Sequence, residues 1–207
     1  MKNLSKIFCA IFLLSTSPSY ATGLFVGVDA LNADARFKAK NSTSLTGPKN
    51  HSIAEADKRN YGVNAGYRID FLTLLASAEL FYDDLRASSR DFENNSNHIN
   101  QGDTIALKNR YGVKANLGFA ILPRITPFIT YGLTNVRYES NLPSSGNSIS
   151  KTEFAPLYGI GILFDLPLGI SAKASYDYQQ FHMNYAASGS KVRTQLGVVK
   201  LGLIYNF

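Results

Sequence analysis

Cysteine is almost missing: Cys9 is the only one, and it lies inside an apolar run near the N-terminus. Beyond that run there is no thiol, which excludes disulfides, cysteine-ligated metals and cysteine nucleophiles from the body of the chain. Charge is scarce as well, at 17% of residues against roughly a quarter in soluble domains. Tryptophan is absent. After the N-terminus no run of about 18 apolar residues occurs, so helical membrane spans are excluded. What is present is 13 Phe, 12 Tyr and 16 Gly in 207 residues. That composition points to a β-protein in contact with lipid.

The opening reads as a secretory signal over residues 1–21. Lys2 and Lys6 form a positive start, Ile7 to Leu14 an apolar stretch too short to span, and Ser19-Tyr20-Ala21 a cleavage site. Cleavage lowers the formal net charge from +6 to +4 by removing two lysines. The remaining positive charges are scattered, without the concentrated basic stripe of a nucleic-acid binder. Nucleic acid is therefore not an expected partner.

Alternation with a period of two runs through the rest. Val199, Leu201, Leu203, Tyr205 and Phe207 occupy every second position at the C-terminus, between Val198, Lys200, Gly202, Ile204 and Asn206. A strand places alternate side chains on opposite faces, so one face here is wholly apolar. The pattern recurs in Tyr61 to Ile69, in Tyr111 to Phe119 and in Ile170 to Tyr178, with weaker matches elsewhere. The apolar faces end in Tyr or Phe and the opposite faces are rich in Gly, as a narrow closed barrel with interfacial aromatics requires. Eight strands are expected, at about 23–37, 59–69, 73–86, 108–121, 125–139, 151–164, 169–184 and 191–207. Connections at 70–72, 122–124 and 165–168 are tight, while those at 38–58, 87–107, 140–150 and 185–190 are longer and polar. Strict alternation of short and long connections is the habit of outer-membrane barrels. The expected fold is an all-β, eight-stranded, antiparallel up-and-down transmembrane barrel over 22–207.

On these features the chain resembles the small eight-stranded outer-membrane β-barrels, which include opacity proteins, the membrane domain of OmpA-like proteins and Adr-like surface adhesins of intracellular bacteria. The first strand, Gly23-Leu-Phe-Val-Gly27-Val-Asp29, and the last, Gly202-Leu-Ile-Tyr-Asn-Phe207, carry the likeness. The resemblance implies an outer-membrane location with the long loops extracellular, and an assembly signature in Leu201, Leu203, Tyr205 and Phe207 for the barrel-assembly machinery. No enzymatic activity, cofactor or metal is expected, and the chain is expected to be a monomer. Adhesion to a host-cell protein or glycan is the first functional expectation. A structural barrel or narrow pore is the second, and a lipid-modifying enzyme the third.

Seven charged residues are expected to meet in the lumen: Asp29, Arg68, Glu79, Lys114, Lys173, Asp177 and Lys200. With four positive and three negative, they nearly neutralise one another and plug the interior. Lys38, Lys40, Lys49 and Lys58 make the first long loop the candidate for an acidic partner. His51, His98 and His182 show no metal-ligand spacing. His182 also lacks the Ser two residues later that the lipid A deacylase pattern requires. The parity places Val63, Val113 and Leu201 against lipid. Arg at any of them should cost about 2–4 kcal/mol in urea unfolding from bilayers, with Gly62→Ser milder. Equal sensitivity of both faces would overturn this register.

Overall fold

Backbone N–H and C=O groups in hydrocarbon must be paired within the protein, and a sheet meets that demand only by closing on itself. The computed structural model shows that closure, and describes residues 22–39, 59–89, 104–142, 147–184 and 191–207. Its strands are β1 (Gly23–Ala39), β2 (Arg59–Phe71), β3 (Leu74–Ser89), β4 (Thr104–Phe119), β5 (Ile125–Leu142), β6 (Asn147–Asp165), β7 (Ile170–Asn184) and β8 (Lys191–Asn206). Each pairs antiparallel with its sequence neighbours, and β8 closes onto β1 from Phe25↔Asn206 to Ala39↔Val192. Residues 1–21, Lys40, Lys49, Lys58, His51 and His98 lie outside the described residues.

The outer surface follows the expected parity. Leu80, Ile160 and Leu201 are each 63% exposed, and Val63 and Val113 stand out from the wall beside them. An apolar surface continuous around a barrel is a surface for lipid. Tyr61, Tyr82, Tyr111, Tyr131, Tyr158 and Tyr176 mark its border towards the long connections. Phe71, Phe119, Phe164 and Phe207 lie near the opposite border, the termini end, where β1 begins and β8 ends.

Past the tyrosines the wall continues, and its apolar parity reverses. In β1 the outward Leu24, Val26, Val28 and Ala30 give way to inward Leu31, Ala33, Ala35 and Phe37. Outward Tyr176 in β7 is followed by inward Phe181 and Met183, and outward Leu133 in β5 by inward Val136 and Tyr138. With Leu85, Leu107, Ala155, Leu196 and Val198 these form one buried apolar cluster. The outside at this height is polar, with Asp34, Arg36, Arg137, His182 and Arg193 exposed. The strands have not rotated; the solvent around them has changed from lipid to water.

This extension accounts for the differences from the expected boundaries. The third long connection, expected at 140–150, is mostly strand, because β5 and β6 pair as far as Leu142↔Asn147. Lys38, expected in a loop, belongs to β1 in register with Arg193. In both places a polar stretch continues a strand rather than starting a loop. Two bulges, between Asp84 and Ala87 and between Leu107 and Asn109, interrupt the register there. At the first, Arg86 takes φ 38° and Leu85 and Ala87 both stay inside.

The β6–β7 ladder stops early. Its last pair is Leu157↔Gln179, although β6 runs on to Asn147 and β7 to Asn184. The next residue of β6 is Pro156, which has no N–H to give. This seam starts two residues past Tyr158, where water can solvate an open edge. In bilayers, amides of Gln180–Met183 turned away from β8 should therefore exchange with deuterium much faster than those of Arg137–Glu139 in the paired β5–β6 ladder. Equal protection of the two segments would show that the seam is closed.

Candidate functional site in the barrel lumen

An eight-stranded barrel is too narrow for two large side chains at one level, and the lumen solves this with glycine. Asp29 is paired across the strands with Gly202, Asp83 with Gly62, and Asp177 with Gly159. A Cβ at Gly159 would lie 2.8 Å from Asp177 Oδ1, and one at Gly202 would collide with Asp29 Oδ1. Gly62 leaves only 2.5 Å to Asp83 Oδ1, which Lys200 holds in place. Gly62→Ser, expected to be milder than Arg on the lipid face, therefore meets a crowded site. The serine Cβ would press on a carboxylate already bonded to Lys200 and Arg110.

Between these glycines lies a buried layer of four acids (Asp29, Glu79, Asp83, Asp177) and four bases (Arg110, Lys114, Lys173, Lys200). Arg110 joins two of the acids, with Nε 2.7 Å from Asp83 Oδ2 and Nη2 3.0 Å from Asp177 Oδ2. Its Nη1 donates to Gln179 Oε1 at 3.2 Å. Lys200 Nζ is 2.6 Å from Asp83 Oδ1 and 3.7 Å from Asp177 Oδ2. Lys114 and Lys173 share Glu79 Oε1 at 3.2 and 3.4 Å, and Lys173 also lies 3.4 Å from Asp29 Oδ1. Asn64 donates to Asp29 Oδ2 at 2.8 Å. Phe81 reaches into the middle of the layer, with the Lys114 and Lys200 ammonium groups each 4.9 Å from its ring centroid and Arg110 Cζ at 5.6 Å. Electrostatic attraction to the ring face adds to the ion pairs.

Six of the seven expected lumen residues meet in this layer. Arg68 does not. It makes a bidentate pair with Asp165 at the termini end, 2.9 Å for each contact, and donates to Asp70 Oδ1 at 2.9 Å. Phe25, Leu75, Phe128, Leu163 and Ile204 form a buried apolar cluster towards the same end. A cavity of about 30 Å³, room for one water, adjoins Arg68, Glu79 and Lys173. Ion layer, lower apolar cluster, Arg68 clamp and upper apolar cluster together occlude the lumen.

Sequence reasoning missed Asp83, Arg110, Asp165 and Asp70. Asp83 continues the inward series of Ser77 and Glu79, and Arg110 stands four residues before Lys114, so parity contained both. Asp70 and Asp165 fall in the expected tight connections 70–72 and 165–168, and only the fold brings them to Arg68. Among the described residues no group of His, Cys, Asp and Glu is placed to hold a metal. His182 is exposed at the outer end of β7, beside Arg193. Leu201, Leu203, Tyr205 and Phe207 all face outward, and the last two rings meet edge to face at 5.1 Å.

Residues 7–207 match the family model described as outer membrane protein beta-barrel domain. No curated relative matches the sequence. Among solved structures the fold is similar to that of AlkL, an outer membrane protein determined in lipid bilayers, with 12% identity, TM-score 0.53 and coverage of 93% of this chain and 94% of that one. Neisserial surface protein A is similar at 15% identity and TM-score 0.50, covering 90% and 98%. OprG of Pseudomonas aeruginosa is similar at 10% identity and TM-score 0.50, covering 92% and 98%.

The ion layer yields a quantitative expectation. Arg110→Met leaves Asp83 and Asp177 short of a partner in a dry lumen and should cost about 3–5 kcal/mol in urea unfolding from lipid vesicles. A loss below about 1 kcal/mol, the value of an exposed pair, would mean that water screens the layer.

Proposed function

From the chain's membership of the outer membrane β-barrel family, we propose that it is a surface adhesin or interaction protein whose long connections face outward from the cell. The supporting observation is the occluded lumen together with a wall that rises past the tyrosine border. Such a barrel offers no ready passage, but it is a rigid mount for the segments 40–58 and 90–103. The first carries Lys40, Lys49 and Lys58, with Lys38 at its base, and fits an acidic protein or glycan of a host cell. Contacts of that kind weaken with salt. Conduction as a narrow pore would require the Glu79–Lys114–Lys173 contacts to part, and no enzymatic role is proposed for His182. The monomer is assembled into the membrane through the outward face of Leu201, Leu203, Tyr205 and Phe207.

The experiment replaces 40–58 and 90–103 by tight turns, singly and together, and measures attachment to host-cell membranes. Proper folding is checked by the shift in electrophoretic mobility on boiling in detergent. Attachment should fall with the first replacement and vanish with both. Undiminished attachment by a correctly folded double variant would refute adhesion and leave a structural barrel.

A further inference from the structure

Turns between strands ordinarily face water and favour Gly, Asn and Asp. Here all three turns at the termini end carry exposed leucines. Leu72 is 73% exposed, Leu122 is 49% and Leu168 is 87%. Two of the three also sit in the left-handed backbone region, Leu72 at φ 55° and Leu168 at φ 66°. Glycine or asparagine takes that conformation readily, whereas leucine does not. A turn in water gains nothing from such a residue. A turn in lipid does.

The dimensions agree. Tyr82 and Leu72, Tyr131 and Ile121, and Tyr158 and Leu168 are each ten residues apart. At about 3.3 Å per residue and a tilt near 40°, ten residues rise roughly 25 Å, the height of a barrel's apolar band. Strand residues alone fall short in β6, where Phe164 is only six residues past Tyr158. There the band reaches full height only if the turn after β6 belongs to it. The turn backbones are prepared for low polarity: Ala120 N–H donates to Thr73 O, Asp165 N–H to Arg124 O and Leu166 N–H to Ile170 O, at 2.7, 2.9 and 2.8 Å. The first two bonds bridge neighbouring turns, the third closes the β6–β7 turn on itself, and all three leave fewer groups for water to satisfy. Arg68, Asp70 and Asp165 direct their charges to one another within the mouth.

We propose that Leu72, Leu122 and Leu168 are seated among the lipid acyl chains of the adjacent leaflet, so that the three turns form part of the lipid-binding surface of the barrel. The apolar belt continues into them without a break. The barrel is thus set flush with the membrane at its termini end and stands proud at the other. The proposal does not depend on the adhesin reading and holds whichever side that end faces.

Because the chain has no tryptophan, each Leu→Trp variant of the full chain is a single-probe protein. L72W, L122W and L168W are folded into phosphatidylcholine vesicles beside L201W, which reports the established lipid face. Blue-shifted emission, quenched by brominated acyl chains as for L201W, is the expected result. Emission typical of water, quenched only by aqueous acrylamide, overturns the proposal, including the case in which a periplasmic protein covers the turns in the cell. Leu168→Asn is a second reading that adds no bulk. Its left-handed preference should raise stability if the turn is wet. Loss of lipid contact should instead lower the folded-to-unfolded ratio about tenfold if the turn is in lipid, and a rise would overturn the proposal.

Discussion

Every feature of this barrel can be traced to one constraint: where hydrocarbon touches the wall, no backbone N–H or C=O can go unpaired. The ladder is complete around all eight strands below the tyrosine border, and it opens at Pro156 only after the border has been passed. The residue that cannot donate is placed where water can compensate for it. Closure with eight strands then fixes the width of the interior, and the width explains the glycines. Gly62, Gly159 and Gly202 are needed because a carboxylate from the neighbouring strand occupies the space a side chain would fill.

Why the narrow interior should hold charge at all follows from the same constraint. The outside of a transmembrane strand is apolar, so the polar residues of a period-two pattern can only point inward. Once inside, each ion loses most of its hydration, and an uncompensated one would cost several kcal/mol. The layer is therefore balanced four against four, and Arg68, removed from it, has two acids of its own. Above the membrane the argument inverts. Water takes the polar face, and the interior closes over Leu31, Phe37, Val136 and Phe181 as in an ordinary soluble core.

The fold and the outward residues were legible because alternation and loop length are local signals. The lumen was legible by parity but not by partner: Arg68 shares its parity with Glu79 and Lys114, yet its height along the barrel puts it beside Asp165. Height is set by the stagger between strands, which a single sequence does not display. The upper core was missed for a different reason. In β1 the apolar positions change from even to odd between Ala30 and Leu31, and a reading that expects one parity throughout keeps the second half in the strand but gives it no inward apolar face. The reversal is itself a signal, since it recurs in β5 and β7 near their border tyrosines.

The two ends of the barrel thus meet their surroundings by opposite means. At the loop end the boundary between lipid and water is crossed within a strand, by exchanging the faces on which apolar residues stand while the backbone continues. That solution needs length, and β5 and β6 supply it with 18 and 19 residues. At the termini end the chain turns back almost as soon as the aromatic ring of Phe71, Phe119 and Phe164 is reached, leaving no strand in which to reverse the faces. The turns themselves must therefore match the medium, and leucine held at a positive φ is a costly residue to find there unless the medium is apolar. A wall so constrained on its outer face, its lumen and one end has variability left only in the long connections. The reading that partner contact is concentrated there rests on that asymmetry.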